Sequence, residues 1–292
     1  DKNVAIGHGA LQSANYDGSA YNVAVGFDAG VLVSTGTHNV LVGGQAGDSL
    51  TTGSYNIAIG HEALQFENTH GKNVAIGYLS LTSQRAGADA YNTAIGYEAG
   101  KLVSTGIRNT FVGGLAGDSV TTGSNNTAVG MFALSTETGG NYNTALGYGA
   151  LELQNVNGDG HNVAVGYTAG QLITTGIRNT IMGSLAGDAL TTGINNTFVG
   201  FNAGGAVTDR SYNTGVGDSA LSSNVNGSKN VAVGNSALSS MNPDSDVDTY
   251  NVAIGYDAGT SVTTGKYNTL VGGSAGDAIH TGEYNTVMGY QA

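Results

Sequence analysis

The chain has 292 residues, 40% hydrophobic and only 10% charged, with 49 Gly, one Pro and no Cys. That much Gly without a Gly-X-Y triplet excludes collagen, and aliphatics with so little charge exclude a disordered chain. Nine cations against 21 acids leave a net charge of −12, which disfavours nucleic acid or an anionic membrane as partner. Without Cys there is no disulfide, thiolate metal site or Cys nucleophile, and no apolar run is long enough to span a bilayer.

The first element is Asn3-Val4-Ala5-Ile6-Gly7. With its Asn as the register origin, the pattern returns at Asn22, Asn39, Asn56, Asn73 and Asn92 and on to Asn285. There are seventeen copies, mostly 17 residues apart, with the longest spacing 21. Position +1 is always Val, Ile or Thr, +3 is always aliphatic or Met, and +4 is always Gly (Gly26, Gly43, Gly60 and Gly96 among them). Seventeen extended residues make one small coil, too short for a propeller blade or a helical hairpin. The expectation is therefore an all-β parallel β-solenoid of about 17 rungs of 17–21 residues. In it the register Asn forms an amide ladder and the Gly at +4 a turn, while a second, shorter strand carries the aliphatic at +11 (Val33, Leu50, Val103). The "TTG" and "STG" stretches, such as Thr51-Thr52-Gly53, read as the opposite turn, with Gly supplying an unusual dihedral.

Strand side chains alternate, so with +1 and +3 inward, +2 faces outward. That position holds small residues, or the large apolar Leu41, Phe111, Ile181, Phe198, Leu270 and Val287. An apolar outward column needs a cover, and the expectation is that these six lie between the chains of a homo-oligomer. From Asn22 the rungs group in fours, opening again at Asn92 and Asn162, 70 residues apart. The longer spacings leave inserts at Gln84 to Ala90, Gln154 to Gly160 and Ser239 to Asp248, expected to project from the coil and to be its most mobile parts. The pattern fills the chain from Asp1 as a single repeat domain, as expected of a segment of a longer fibre.

The "NVAIG" cores at Asn3, Asn73 and Asn251 resemble the YadA-like head repeats of trimeric autotransporter adhesins, and similar repeats occur in trimeric phage tail fibres. The rungs here are longer than is usual in that family. The resemblance covers essentially the whole chain. It implies a left-handed parallel β-roll, three chains side by side, and an extracellular place on a cell or virion surface.

The chemistry-bearing residues follow the register. The six His are scattered over unrelated positions, which suits surface residues better than a metal site. Asp28, Glu62, Glu98 and Asp257 share +6, and Asp48, Asp118, Asp188 and Asp277 share +9, which reads as turn chemistry and not a catalytic pair. No catalytic, cofactor-binding or metal-ligating residue is expected, and the chain is read as a non-enzyme. Tyr78, Tyr97, Tyr148, Tyr167 and Tyr256 share +5, as a brace for the turn or as a surface that stacks on carbohydrate. The preferred function is a structural and adhesive fibre segment, with itself as partner and a host-surface glycan or protein as receptor. The alternative is an ice-binding solenoid, from the Thr rows; a glycosidase is the third reading.

Overall fold

In the computed structural model, which describes residues 2–292, the chain divides into two compact units, Asp1–Asn143 and Thr144–Ala292. In the first, eight three-residue strands pair in parallel: β1 Val4–Ile6, β2 Val23–Val25, β3 Val40–Val42, β4 Ile57–Ile59, β5 Val74–Ile76, β6 Thr93–Ile95, β7 Thr110–Val112 and β8 Thr127–Val129. In the second are β9 Thr144–Leu146, β10 Val163–Val165, β11 Thr180–Met182, β12 Thr197–Val199, β13 Thr214–Val216, β14 Gly227–Ser228, β15 Val231–Val233, β16 Val247–Asp248, β17 Val252–Ile254, β18 Thr269–Val271 and β19 Thr286–Met288. Each unit is thus a parallel β-solenoid, about seventeen coils in all, and the described residues contain no helix. Pairing joins equal register positions, such as Val23 with Val40 and Thr110 with Thr127.

The outward turn of the chain follows each strand at once. The Gly at +4 has φ near +135°, and a Cβ on Gly60 would lie 2.3 Å from the carbonyl oxygen of Gly77 in the next coil. Both the dihedral and the approach exclude a side chain, which accounts for Gly at every +4. Left-handed residues at +6 and +8, such as Asp28 (φ 52°) and Leu64 (φ 52°), then reverse the chain. The expected second strand is absent: the +11 segment is a run of turns, although coil still bonds to coil there, as where Ser34 N–H donates to the Thr51 carbonyl at 2.9 Å. The Gly of the "TTG" turn is also not left-handed. Gly36 is required by approach alone, since a Cβ there would be 2.3 Å from the Gly53 carbonyl oxygen.

The expected Asn ladder is present and lies in the core. Asn22, Asn39, Asn56 and Asn92 are buried. Asn39 N–H donates to the side-chain oxygen of Asn22 at 2.8 Å, and Asn39 Nδ2 donates to the Gly53 carbonyl at 2.9 Å, tying the strand to the far turn. Each amide therefore satisfies backbone groups that a narrow dry core would otherwise leave unpaired.

The alternation is the reverse of that expected. Position +2 points into the coil, and +1 and +3 point out. Leu41, Phe111, Ile181, Phe198 and Leu270 are 0% exposed within one chain, and Val287, on the last coil, is half-buried. The first five are core residues and are not available to a partner, and Val287 points inward as they do. The reason is volume. The interior already holds the register Asn and the side chains of +7 and +11, so most coils have room only for Ala at +2.

The same volume argument accounts for the four-coil beat. In the coils with Leu64, Leu81, Leu134 and Leu151 at +8, position +2 is Ala, and in the coil of Leu221 it is Gly215. Where a large side chain occupies +2, it fills the space of two missing +8 side chains. A Cβ on Gly100 would meet the Phe111 ring at 2.9 Å and one on Gly117 would meet it at 2.5 Å, and Leu41 stands likewise between Gly30 and Gly47. The Leu coils in turn carry polar residues at +11. Glu137 Oε1 accepts three backbone N–H groups, from Thr138, Gly139 and Gly140, at 2.7–3.1 Å.

The inserts are anchored at points along their length, while their middles, Gly87 and Ala88, Asn157, and Asp244 to Asp246, are exposed. Gln84, Gln154 and Met241 reach into the core, and Gln84 Oε1 accepts from Asn92 Nδ2 at 2.7 Å. Insert residues Ala86 and Val156 are also buried, and β16 pairs with β14 in parallel.

Candidate functional site

With +2 inward, the outer face of each sheet carries the β-branched and aliphatic residues of +1 and +3. Ile59, Ile95, Leu146 and Ile254, all at +3, are each 36–43% exposed, whereas +1 is Thr in nine of the seventeen coils. Two aromatic-rich columns lie at the ends of the strand. The one at −1 holds Tyr21, His38, Tyr55, Lys72, Tyr91 and Arg108 in the first unit, all exposed and all left-handed (Tyr21 φ 56°, His38 φ 59°). The stacking is direct: Tyr21–His38 centroids are 5.2 Å apart, His38–Tyr55 4.9 Å, and Lys72 Nζ lies 5.0 Å above the Tyr91 ring. This column was missed in the sequence because the register was counted forward from Asn; one step back, the aromatic and basic residues recur in phase.

The other column is the +5 set. Tyr78 stacks on Tyr97 at 5.4 Å and Tyr148 on Tyr167 at 5.5 Å, with ring planes within 12–14°. His61 extends the first stack beneath Tyr78 at 5.7 Å, and His8 lies on Phe27 at 5.4 Å. Tyr256 stands 64% exposed with no ring stacked on it. The faces of Tyr78 are therefore used in the brace, whereas Tyr97 and Tyr167 each end a stack and Tyr256 stands alone. The next coil carries Gly114, Ser184 or Gly273 in their place. Of the five candidate surface tyrosines, the structure thus joins four in two pairs and leaves Tyr256 by itself.

The acids behave as turn residues. Glu98 forms an ion pair with Lys101 at 3.0 Å, which with the Tyr97 hydroxyl holds its carboxyl below the usual range. The Tyr97 hydroxyl is pushed up chiefly by that hydrogen bond to Glu98. Burial pushes the carboxyls of Asp48, Asp118 and Asp188 up. In the core, burial also raises Glu67, against the hydrogen bonds it accepts from the N–H groups of Asn68 and His70. Among the described residues there is no group of three His, Asp or Glu that could hold a metal ion, and no helix long and apolar enough to cross a membrane.

Compared with protein-family models, with curated proteins and with solved structures, the chain matches none.

Proposed function

We propose that the chain is a segment of a structural and adhesive fibre, in which copies of the chain pack side by side through the outward columns of +1 and +3. The observation that carries this reading is the apolar outer face itself, with Ile6, Ile59, Ile95, Ile254 and Met288 among its exposed side chains. Such a column along the coils of a unit exceeds the few hundred Å² that an isolated soluble protein usually exposes. Covering a half-exposed aliphatic contributes about 1 kcal/mol, so a stack of them favours association strongly. The resemblance supplies the number three and the left-handed roll, and with them a place outside the cell, on a bacterial surface or a virion. The rigid coil would hold a binding surface away from its base, for a host glycan or protein. Catalysis has no support in the arrangement of the acids, which are bound into turns.

The mass of the purified chain in solution tests this reading. Light scattering is expected to give a multiple of the 29.2 kDa chain, three-fold if the resemblance holds. A soluble monomer, stable over the accessible concentration range, would overturn it.

A further inference from the structure

The +5 column carries a Gly or Ser in the second coil of each group. Gly44 separates Phe27 from His61, Gly114 separates Tyr97 from Met131, Ser184 separates Tyr167 from Phe201, and Gly273 separates Tyr256 from Tyr290. Two of these openings lie in each unit. Backbone geometry does not require them at Gly44 and Gly114, whereas a Cβ on Gly273 would meet the Tyr290 ring at 3.2 Å. Neither Gly44 nor Gly114 is left-handed; a Cβ on Gly114 would meet nothing within 4 Å, and one on Gly44 would touch only the His61 ring at an ordinary 3.4 Å. Where rings occupy neighbouring levels of the column they stack at 5.4–5.7 Å, and the levels with neither a ring nor an opening hold Met131, Asp218 and Asn235. Gly44 and Gly114 thus leave out a ring that the coil could carry.

The omission makes a notch. Across it the flanking side chains are separated by two ladder steps, roughly 11 Å, so a ring inserted midway lies about 5.5 Å from each, within the usual range of stacked rings. One face of Tyr97 is covered by Tyr78 and one face of Tyr167 by Tyr148, leaving the other face of each turned toward its notch. The adjacent +6 position holds Asp28, Gln45 and Glu62 around the Gly44 notch and Asp257, Ser274 and Gln291 around Gly273; at Gly114 and Ser184 the same coil carries Leu115 and Leu185, and a neighbouring coil supplies the polar Glu98 or Asn202. All of these polar residues but the exposed Gln291 are half-buried, so they are held near the ring plane and still reach solvent. Neither the +5 nor the +6 column contains Lys or Arg.

The geometry points to these notches as glycan subsites, each taking one pyranose of a neutral oligosaccharide between its flanking side chains. A pyranose presents an apolar C–H face to an aromatic ring and hydroxyls at its edge, which matches ring faces beside carboxylate and amide groups. An anionic sugar would meet carboxylates at the Gly44, Gly114 and Gly273 notches, the one beside Gly114 already holding Lys101, and an aromatic side chain of a protein would leave those polar groups without partners. The subsite deepens the adhesive reading by naming its ligand class, and it is distinct from the outward aliphatic face. Single open notches bind weakly, and repetition along a unit raises the avidity of a multivalent surface.

The test fills the notches. The variant G44Y/G114Y/S184Y/G273Y continues the ladder, and is expected to melt at or above the temperature of the unmodified chain with the same mass by light scattering. Cellotetraose and chitotetraose serve as neutral probes and oligogalacturonate as the anionic one, read by saturation-transfer NMR and by tyrosine fluorescence, since the chain has no Trp. The unmodified chain is expected to bind a neutral probe, and the filled variant to lose affinity about tenfold or more. The variant F27A/Y97A/Y167A/Y256A, which removes exposed rings and needs no new packing, is expected to lose binding likewise. The proposal is overturned if the unmodified chain binds no neutral probe, if it binds only the anionic one, or if either variant binds as well as the parent. An unmodified chain that binds a neutral probe as a monomer would sink the assembly reading and leave the subsites standing.

Discussion

A Cβ on Gly60 would press on the Gly77 carbonyl oxygen, and the residue also holds φ at +137°. Relief requires the two coils to separate, which breaks parallel pairing on both sides of the contact. Gly60→Ala is therefore expected to destabilise the fold by about 3 kcal/mol, from overpacking and strained backbone together. Gly114→Ala has open space and no such dihedral, so it is expected to be neutral or to stabilise by about 0.5 kcal/mol through the unfolded chain. Urea denaturation of the two variants checks the contrast. Glu67 gives a second residue-scale test. Because burial raises its carboxyl in the folded state, the fold holds the proton more readily than the unfolded chain does. Its contribution is most favourable below the ordinary carboxylate range and is lost as pH rises through that range to the raised value. Gln, already used at Gln84, does not titrate. Glu67→Gln is expected to melt above the parent at neutral pH, the difference closing in acid; a constant difference across pH would refute the assignment.

A coil is the unit in which core volume is balanced. Phe111→Ala empties the space between Gly100 and Gly117 and is expected to cost about 3–5 kcal/mol. Adding Gly117→Leu copies the neighbouring arrangement, where Leu134 accompanies Ala128 at the same left-handed dihedral (φ 55°). The double variant is expected to recover a substantial part of that loss, while Gly117→Leu alone overpacks against the ring. A double-mutant cycle in chemical denaturation measures the coupling, and additivity of the two changes would contradict the volume argument. This scale also shows what could be read from sequence. The register, the strand positions and the amide ladder were legible because the register Asn and the Gly at +4 recur without exception. The facing of the strand was not. Three residues carry one bit of alternation, and bulky aliphatics at +1 and +3 look like a core until the filled interior is seen to admit only Ala. The +5 tyrosines were legible as a set. The openings beside them were not, because a glycine among 49 carries little signal.

In the proposed assembly, copies would meet through the outward +3 columns. Ile95 and Val112 face outward at +3 on neighbouring strands β6 and β7. Changing both to Asp leaves the core untouched and places like charges where a partner would cover them. Ile95→Asp with Val112→Asp is expected to reduce the mass measured by light scattering while leaving the far-ultraviolet circular dichroism of the parent. Unchanged assembly would mean that another surface joins the copies. Phe111→Asp is different in kind: it buries a charge inside one chain and is expected to unfold the coils around it.

The amide ladder has a sense of direction. In each step the side-chain oxygen of one Asn receives the N–H of the Asn in the following coil, from Asn22 to Asn39, Asn39 to Asn56 and Asn56 to Asn73. The bonds are aligned head to tail, so each polarises the next, as in a row of small magnets. A missing link divides the row into two shorter ones, and the penalty depends on where the cut falls. Asn56→Ala, mid-row, is expected to cost more than Asn285→Ala at the last coil, although both residues donate a backbone N–H to the Asn of the coil before them. The ladder would then behave as a one-way electrical array, whose strength grows with its uninterrupted length.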